Sequence, residues 1–221
     1  MKNDELYQNI DNIIFDLGGV VITLDRDRAC SALASLGVDD AWTLLGLYRQ
    51  EEPFLGLETG RITAAEFYDL IRSRCEGVTD TAIQDAFNEF LVEIPVERLE
   101  MLRKVREAGF KTYVLSNTNP VMFNSWIAKA FRKEGLTIND YFDGIVTSFA
   151  EGTCKPDVAI FETVLRRYDL PCDRTIMLDD SEANCKAAVQ AGMRVQQVGK
   201  EDSDNMIALC DALIENRKEK L

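Results

Sequence analysis

Polar clusters that could do chemistry occur at four places in this chain, each after a segment with a strand-like pattern. They are Asp16; Ser116 with Asn117; Lys155; and Asp179 with Asp180. Together they supply three carboxylates, a hydroxyl, an amide and an ammonium group. Taken singly, each cluster also fits a turn or a helix cap. Their order and placement together favour a chemical site.

The elements that must position these clusters follow an alternating pattern. Short apolar, β-branched runs predict strands, and they occur at 13–15, 111–115, 144–147, 175–178 and 194–198. Helical patterns follow at 96–108, 120–133, 157–168, 181–192 and 203–217. This alternation predicts a parallel sheet with helices on both faces. Because ligands bind at the carboxyl ends of such strands, we expect all four clusters along one rim of the sheet.

Residues 25–94 interrupt this alternation with a block that we predict to be purely helical. The helices are expected at 26–36, 40–49, 64–74 and 81–92, and Thr63 with Glu66 forms a capping-box pattern before the third. Residues 20–24 are expected to form one arm of a short β flap. The predicted fold is therefore α/β, a three-layer Rossmann-like core (1–24 and 95–221) with an inserted α-helical cap (25–94).

The charge of the chain restricts its partners. Lys and Arg number 25 and Asp and Glu 38, which gives a formal net charge of −13. A chain this acidic repels nucleic acid and anionic membranes, so we expect neither as a partner. A phosphorylated substrate would need metal and lysine to reverse the field locally.

The histidine and cysteine content limits both the chemistry and the compartment. The chain has no histidine, which excludes a Ser-His-Asp triad, a Cys-His dyad and a histidine general base. Its six cysteines form no C-x-x-C pair, and the first nine residues carry no apolar signal region. We therefore expect reduced thiols in a cytoplasmic protein.

Phosphoryl transfer is the reaction that suits the four clusters. Asp16 and Asp180 can share one Mg²⁺, with Asp179 completing or orienting that set of ligands. Lys155 would neutralise charge, while the Ser116 hydroxyl and nearby backbone N–H groups hold phosphate oxygens. The first carboxylate would then attack phosphorus in line, and water would hydrolyse the aspartyl-phosphate.

The same motifs resemble those of the haloacid dehalogenase superfamily, a group mostly of Mg²⁺-dependent phosphatases. The matching segments are Phe-Asp-Leu-Gly-Gly-Val at 15–20, Leu-Ser-Asn at 115–117, Lys-Pro-Asp at 155–157 and Leu-Asp-Asp-Ser-x-x-Asn at 178–184. The resemblance implies a nucleophilic Asp16, a direct metal ligand in Asp180, and phosphate binding by Ser116, Asn117 and Lys155. The small α-helical cap of that superfamily corresponds to the helical block inserted at 25–94. Residues 58–63 and 115–119 further resemble a branch that includes sugar-1-phosphate phosphatases.

Gly18 departs from the pattern of that superfamily. The usual first motif is Asp-x-Asp, and its second aspartate is the general acid and base. A glycine keeps the backbone carbonyl that holds the metal but removes the side chain that moves a proton. We therefore expect a slow enzyme or a replacement acid, for which Asp25 and Asp27 are conceivable. Substrates with good leaving groups should be favoured, and the anomeric oxygen of a hexose 1-phosphate is one such group.

The leading interpretation is thus a Mg²⁺-dependent phosphatase acting on a small phosphomonoester, with the oligomeric state not readable from the sequence. A haloacid dehalogenase is an alternative, although halide displacement needs no metal and so leaves the Asp179–Asp180 pair unexplained. A phospho-accepting receiver module would use similar residues but has no use for a cap. A catalytically weak phosphate-binding or regulatory protein on the same fold is supported only by Gly18. Residues 54–61 of the cap are candidates for substrate specificity.

Overall fold

The core of the protein is a five-stranded parallel sheet, seen in a computed structural model that describes residues 6–75, 77–199 and 205–218. The strands in chain order are β1 (Asn12–Phe15), β2 (Thr23–Leu24), β3 (Leu91–Glu93), β4 (Lys111–Ser116), β5 (Gly144–Thr147), β6 (Thr175–Asp179) and β7 (Arg194–Gln197). The sheet order is β5-β4-β1-β6-β7, and every neighbouring pair runs parallel. All five strands of this sheet were predicted from the sequence.

The helices in chain order are α1 (Arg26–Ser35), α2 (Ala41–Leu44), α3 (Phe54–Glu58), α4 (Ala64–Arg72), α5 (Asp80–Asn88), α6 (Val96–Glu107), α7 (Pro120–Met122), α8 (Ala128–Ala130), α9 (Ile138–Tyr141), α10 (Ser148–Glu151), α11 (Val158–Arg167), α12 (Glu182–Gln190) and α13 (Asn205–Lys218). A π-helical turn, Phe123–Ile127, joins α7 to α8. The predicted start of the last helix at Ser203 lies outside the described residues. No helix in the described ranges is long and apolar enough to cross a membrane.

The sheet separates two apolar layers, as expected for a three-layer α/β core. Alternate residues of β1 point to opposite faces, so Ile13 and Phe15 join one buried cluster and Ile14 joins the other. All three side chains are fully buried. This central strand therefore holds the residue that follows it, Asp16, in a fixed position at the rim of the sheet.

The inserted segment differs from its prediction in three places. We expected a helix at 81–92 and no strand, but α5 ends at Asn88 and β3 then pairs antiparallel with β2. The expectation of no strand was therefore wrong, because a three-residue strand is recognisable only through a partner distant in sequence. The helix expected at 40–49 covers only Ala41–Leu44. The short helix α3 was not predicted.

Candidate active site

Lys155 joins two of the predicted carboxylates at the rim of the sheet. Its Nζ lies 2.8 Å from Oδ2 of Asp16, which follows β1, and 2.7 Å from Oδ2 of Asp179, which ends β6. The lysine side chain is 1% exposed. Strands β1 and β6 are neighbours, so their carboxyl ends bring the two aspartates to one ammonium group.

Asp179 is engaged by hydrogen bonds on both of its carboxylate oxygens. Its Oδ1 accepts from the backbone N–H of Ser181 at 2.9 Å and from Nδ2 of Asn184 at 3.0 Å. Its Oδ2 accepts from Lys155, and the side chain is fully buried. This carboxylate therefore fixes the lysine and orients its neighbours, which is the orienting role allowed for it by the sequence.

Asn117 holds the main chain of Lys155. Its Nδ2 donates to the carbonyl oxygen of Lys155 at 2.8 Å, and its Oδ1 accepts from the N–H of Lys155 at 2.8 Å. Both polar atoms of this amide side chain are thus paired with the main chain of Lys155, which positions the lysine. The phosphate binding expected of Asn117 stays a prediction. Ser116 ends β4, is buried, and lines the cavity described below.

Gly19 allows Asp180 to reach the site. The glycine has a φ of +74°, and a Cβ built on it would lie 2.4 Å from Oδ2 of Asp180. A side chain at this position would therefore meet a carboxylate oxygen as well as an unfavourable backbone conformation. Gly18 is different, because a Cβ there would meet only the side-chain tip of Leu24, at 3.0 Å.

The carboxylates at this rim fit a divalent metal ion. One ligand oxygen from each of Asp16, Asp179 and Asp180 lies within 4.8 Å of the others. Three carboxylates against one ammonium leave a net charge of −2 when all are ionised. Hard oxygen donors with this charge suit Mg²⁺. The Tyr48 hydroxyl from the cap donates to Oδ2 of Asp180 at 3.1 Å.

The electrostatics of the site reflect the crowding of these charges. Burial raises the pKa of Asp16 to about 7, opposed by Lys155 and reinforced by Asp179 and Asp180. Burial also raises the pKa of Asp180, again with help from Asp179. Burial alone would lower the pKa of Lys155, but its two carboxylate partners outweigh that effect and raise the pKa. The lysine therefore stays charged, and the carboxylates gain from an added cation.

A cavity of about 290 Å³ lies between these residues and the cap. The core side of the cavity is lined by the predicted residues Asp16, Gly18, Ser116, Asn117, Lys155 and Asp180. The cap side includes Tyr48, Arg49, Phe54, Glu58 and Phe87. Two of these, Phe54 and Glu58, belong to the stretch 54–61 that the sequence indicated for specificity.

Glu58 lies in the stretch 54–61 indicated for specificity, but the sequence did not single it out from its neighbours there. It is a charged residue that closes the otherwise apolar run 54–57, and that contrast is the one local signal that could have identified it. The proposed replacement acids lie elsewhere: Asp25 caps α1 by accepting from the N–H of Arg28, and the Asp27 side chain is 80% exposed. Neither of them lines the cavity.

Comparison with known proteins agrees with this geometry. A family model described as haloacid dehalogenase-like hydrolase matches residues 10–192. A D-ribitol-5-phosphate phosphatase of Bacteroides thetaiotaomicron is 32% identical over 189 residues, covering 85% of this chain and 91% of that protein.

Comparison with solved structures also finds enzymes of the HAD family. A HAD family enzyme of Bacteroides thetaiotaomicron, crystallised with magnesium and inorganic phosphate, is 37% identical with a TM-score of 0.80, covering 85% of this chain and 93% of that one. A HAD-like family hydrolase of Porphyromonas gingivalis is 30% identical with a TM-score of 0.82, covering 93% and 98%.

Proposed function

This chain belongs to the haloacid dehalogenase-like hydrolases, and we propose that it is a Mg²⁺-dependent phosphatase whose nucleophile is Asp16. The observation that carries the proposal is the buried lysine held between Asp16 and Asp179, with Asp180 beside them at the cavity. An aspartate held in this way is fixed in direction and opens onto the cavity, and Lys155 together with a bound cation favours its ionised form. These are the requirements for a nucleophile that forms an aspartyl-phosphate.

The residues of the chain divide the reaction between them. A carboxylate oxygen of Asp16 attacks phosphorus while Lys155 offsets the charge that gathers between nucleophile and phosphate. Asp179 and Asn117 keep the lysine in place through its side chain and its main chain respectively. The Ser116 hydroxyl and adjacent N–H groups hold phosphate oxygens. Water then attacks the aspartyl-phosphate and releases inorganic phosphate.

Asp16, Asp180 and the backbone carbonyl of Gly18 would hold Mg²⁺, with Asp179 orienting the set from behind. When bound, Mg²⁺ supplies positive charge that polarises the phosphate and offsets its repulsion from the carboxylates. Two findings support this assignment. The carboxylate oxygens form one compact group, and a homologous enzyme has been crystallised with magnesium and phosphate.

The substrate that we propose is a small sugar or polyol monophosphate. A cavity of about 290 Å³ has room for a molecule of that size. One relative is a D-ribitol-5-phosphate phosphatase, which supports the polyol class, while a hexose 1-phosphate remains a candidate from the sequence motifs.

A net charge of −13 supports the further proposal that nucleic acid is not a partner. We also propose a cytoplasmic location, supported by six free cysteines.

The alternative functions receive less support. A haloacid dehalogenase is less well supported, because halide displacement needs no metal ion. That reaction would not explain why Asp180 lies beside Asp16 and Asp179, close to Gly19. A receiver module would not cover its phosphate site with helices. Gly18 is the one observation that favours a catalytically weak regulatory protein. The other residues expected of a phosphatase site are present.

A phosphate-release screen tests the proposal. Wild-type protein is assayed against p-nitrophenyl phosphate and a panel of sugar and polyol monophosphates, with Mg²⁺ and with EDTA. We expect turnover that needs Mg²⁺ and that Asp16→Asn abolishes. Absence of turnover with the whole panel, or turnover that survives in Asp16→Asn, would contradict it.

A further inference from the structure

The reaction needs a proton carrier that the first motif does not provide. The alcohol that leaves the phosphate must be protonated, and the water that attacks later must lose a proton. Gly18 has no side chain, and the sequence contains no histidine. The carrier must therefore come from another wall of the cavity.

The cavity lining leaves one carboxyl group for this task. Among its described lining residues, the carboxyl-bearing ones are Asp16, Asp180 and Glu58. The first is the nucleophile, and the second belongs to the metal group and accepts a hydrogen bond from Tyr48. Glu58 has neither task.

The fold holds Glu58 over the site. It is the last residue of α3, is 9% exposed, and lines the same cavity as Asp16 and Lys155. Two residues later, Gly60 has a φ of +66°, and a Cβ on it would lie 2.2 Å from the carbonyl oxygen of Phe149 in α10. The end of α3 thus lies against the core, in an approach that only glycine permits.

The environment of Glu58 suits a group that both gives and takes a proton. Burial raises its pKa to about 7, with Lys155 lowering it and Asp16 raising it. Burial raises the pKa of the Cys154 thiol, and the negative charge of Glu58 raises it further. Near neutral pH, both the protonated and the ionised forms of Glu58 are therefore present, as general acid–base catalysis requires.

We propose that Glu58 is the general acid and base of this phosphatase, in the role that Gly18 leaves open. As Asp16 bonds to phosphorus and the P–O bond to the alcohol breaks, the carboxylic acid of Glu58 gives its proton to the leaving oxygen. The resulting carboxylate then takes a proton from the water that attacks the aspartyl-phosphate. The bond to Asp16 breaks, inorganic phosphate forms, and Glu58 is again protonated.

The dependence of Glu58→Gln on the leaving group tests this role, which rests on the proposed phosphatase activity. First-turnover rates are measured by rapid quench with p-nitrophenyl phosphate and with the best sugar or polyol phosphate of the panel. Nitrophenolate is a weak base and leaves without being protonated. The alcohol of an alkyl ester needs a proton to leave, because an alkoxide is a strong base. We expect Glu58→Gln to slow the alkyl ester by about 10²- to 10⁴-fold and p-nitrophenyl phosphate by less than about tenfold in the first turnover.

The second half-reaction gives an independent signature. Because the variant lacks a base for water, the aspartyl-phosphate should accumulate, and p-nitrophenyl phosphate should give a burst of one nitrophenolate per site. Equal slowing of both esters in the first turnover, as a positioning residue would cause, overturns the proposal, and so does unchanged turnover of both. Failure of the phosphatase assignment itself would appear differently, as wild-type protein without Mg²⁺-dependent turnover.

A matched variant controls for nonspecific effects of the substitution. Glu51→Gln changes an exposed glutamate of the same cap that does not line the cavity, and its rates should equal those of wild type. Glu58→Gln should keep the increase in melting temperature that Mg²⁺ gives to the wild-type protein, because the metal-holding carboxylates are unchanged. These two results separate a lost proton carrier from a damaged site.

Discussion

Lys155 is the residue through which the separate clusters become one site. Its ammonium group contacts Asp16 and Asp179, and its main chain is held by Asn117. The sequence identified all four of these residues, because each follows a strand or starts a helix and carries a polar group. It could not assign Asn117 its actual contacts, since those depend on a loop 38 residues away.

Gly19 provides the first test at the residue scale. Gly19→Ala places a methyl group at 2.4 Å from Oδ2 of Asp180, so we expect loss of most Mg²⁺ affinity and activity. Gly135→Ala is the matched control, because its φ is +76° and no atom lies within 4 Å of the added Cβ. Both variants should lose about 1–2 kcal/mol of unfolding free energy from the left-handed backbone.

Isothermal titration with Mg²⁺ and denaturant unfolding distinguish the two effects in these variants. The expected pattern is a loss of stability in both, at least as large in Gly19→Ala because of its contact with Asp180, with weakened metal binding only in Gly19→Ala. Equal Mg²⁺ affinity in the two variants would show that the approach of Asp180 past this glycine is not needed for metal binding.

Among the elements, the strands of the core were predictable and the connections of the cap were not. Core strands are continuous apolar runs, so β1 and β6 can be read without knowledge of their partners. The pairing of β2 with β3 joins segments nearly 70 residues apart, and neither is long enough to show a period. We propose that this two-stranded ribbon marks the boundary between the core (1–24 and 95–221) and the cap (25–94).

The N-terminus of α4 gives a stability test at the element scale. The predicted capping box is confirmed: the Thr63 hydroxyl accepts from the N–H of Glu66, and the Glu66 carboxylate accepts from the N–H of Thr63. Thr63→Ala should lower the unfolding free energy by about 1 kcal/mol. Urea denaturation measures the change.

A threonine in the first turn of α5 that is not its N-cap provides the comparison for this test. Thr81 is exposed within α5, where alanine is the better helix former, so Thr81→Ala should leave stability unchanged or slightly raised. If Thr63→Ala were as stable as Thr81→Ala, the capping box would contribute nothing measurable to the fold.

At the scale of the whole molecule, an acidic protein must bind an anionic substrate. The sequence showed this conflict through its net charge of −13 and suggested metal and lysine as the remedy. The structure adds the cap side of the cavity, including Glu58, which the sequence placed among the candidates at 54–61 without singling it out. That omission has a physical reason: α3 has only five residues, and its burial against α10 depends on the tertiary fold.

Magnesium should stabilise the folded molecule as a whole. An ion that binds only the native state adds about 2.7 kcal/mol to the unfolding free energy at 100 times its dissociation constant. We expect Mg²⁺ to raise the melting temperature of wild type and not that of Asp180→Asn. Differential scanning calorimetry with and without EDTA measures this. A full Mg²⁺ shift in Asp180→Asn would exclude that carboxylate as a metal ligand.

The proposed reaction passes the phosphoryl group through the side chain of Asp16, and chemical trapping can detect this aspartyl-phosphate. Enzyme quenched in acid during turnover is treated with borohydride, which reduces an acyl phosphate on aspartate to homoserine, and the peptides are sequenced by mass spectrometry. We expect homoserine at position 16 only when substrate and Mg²⁺ are both present. Homoserine at another aspartate, or none despite active turnover, would contradict it.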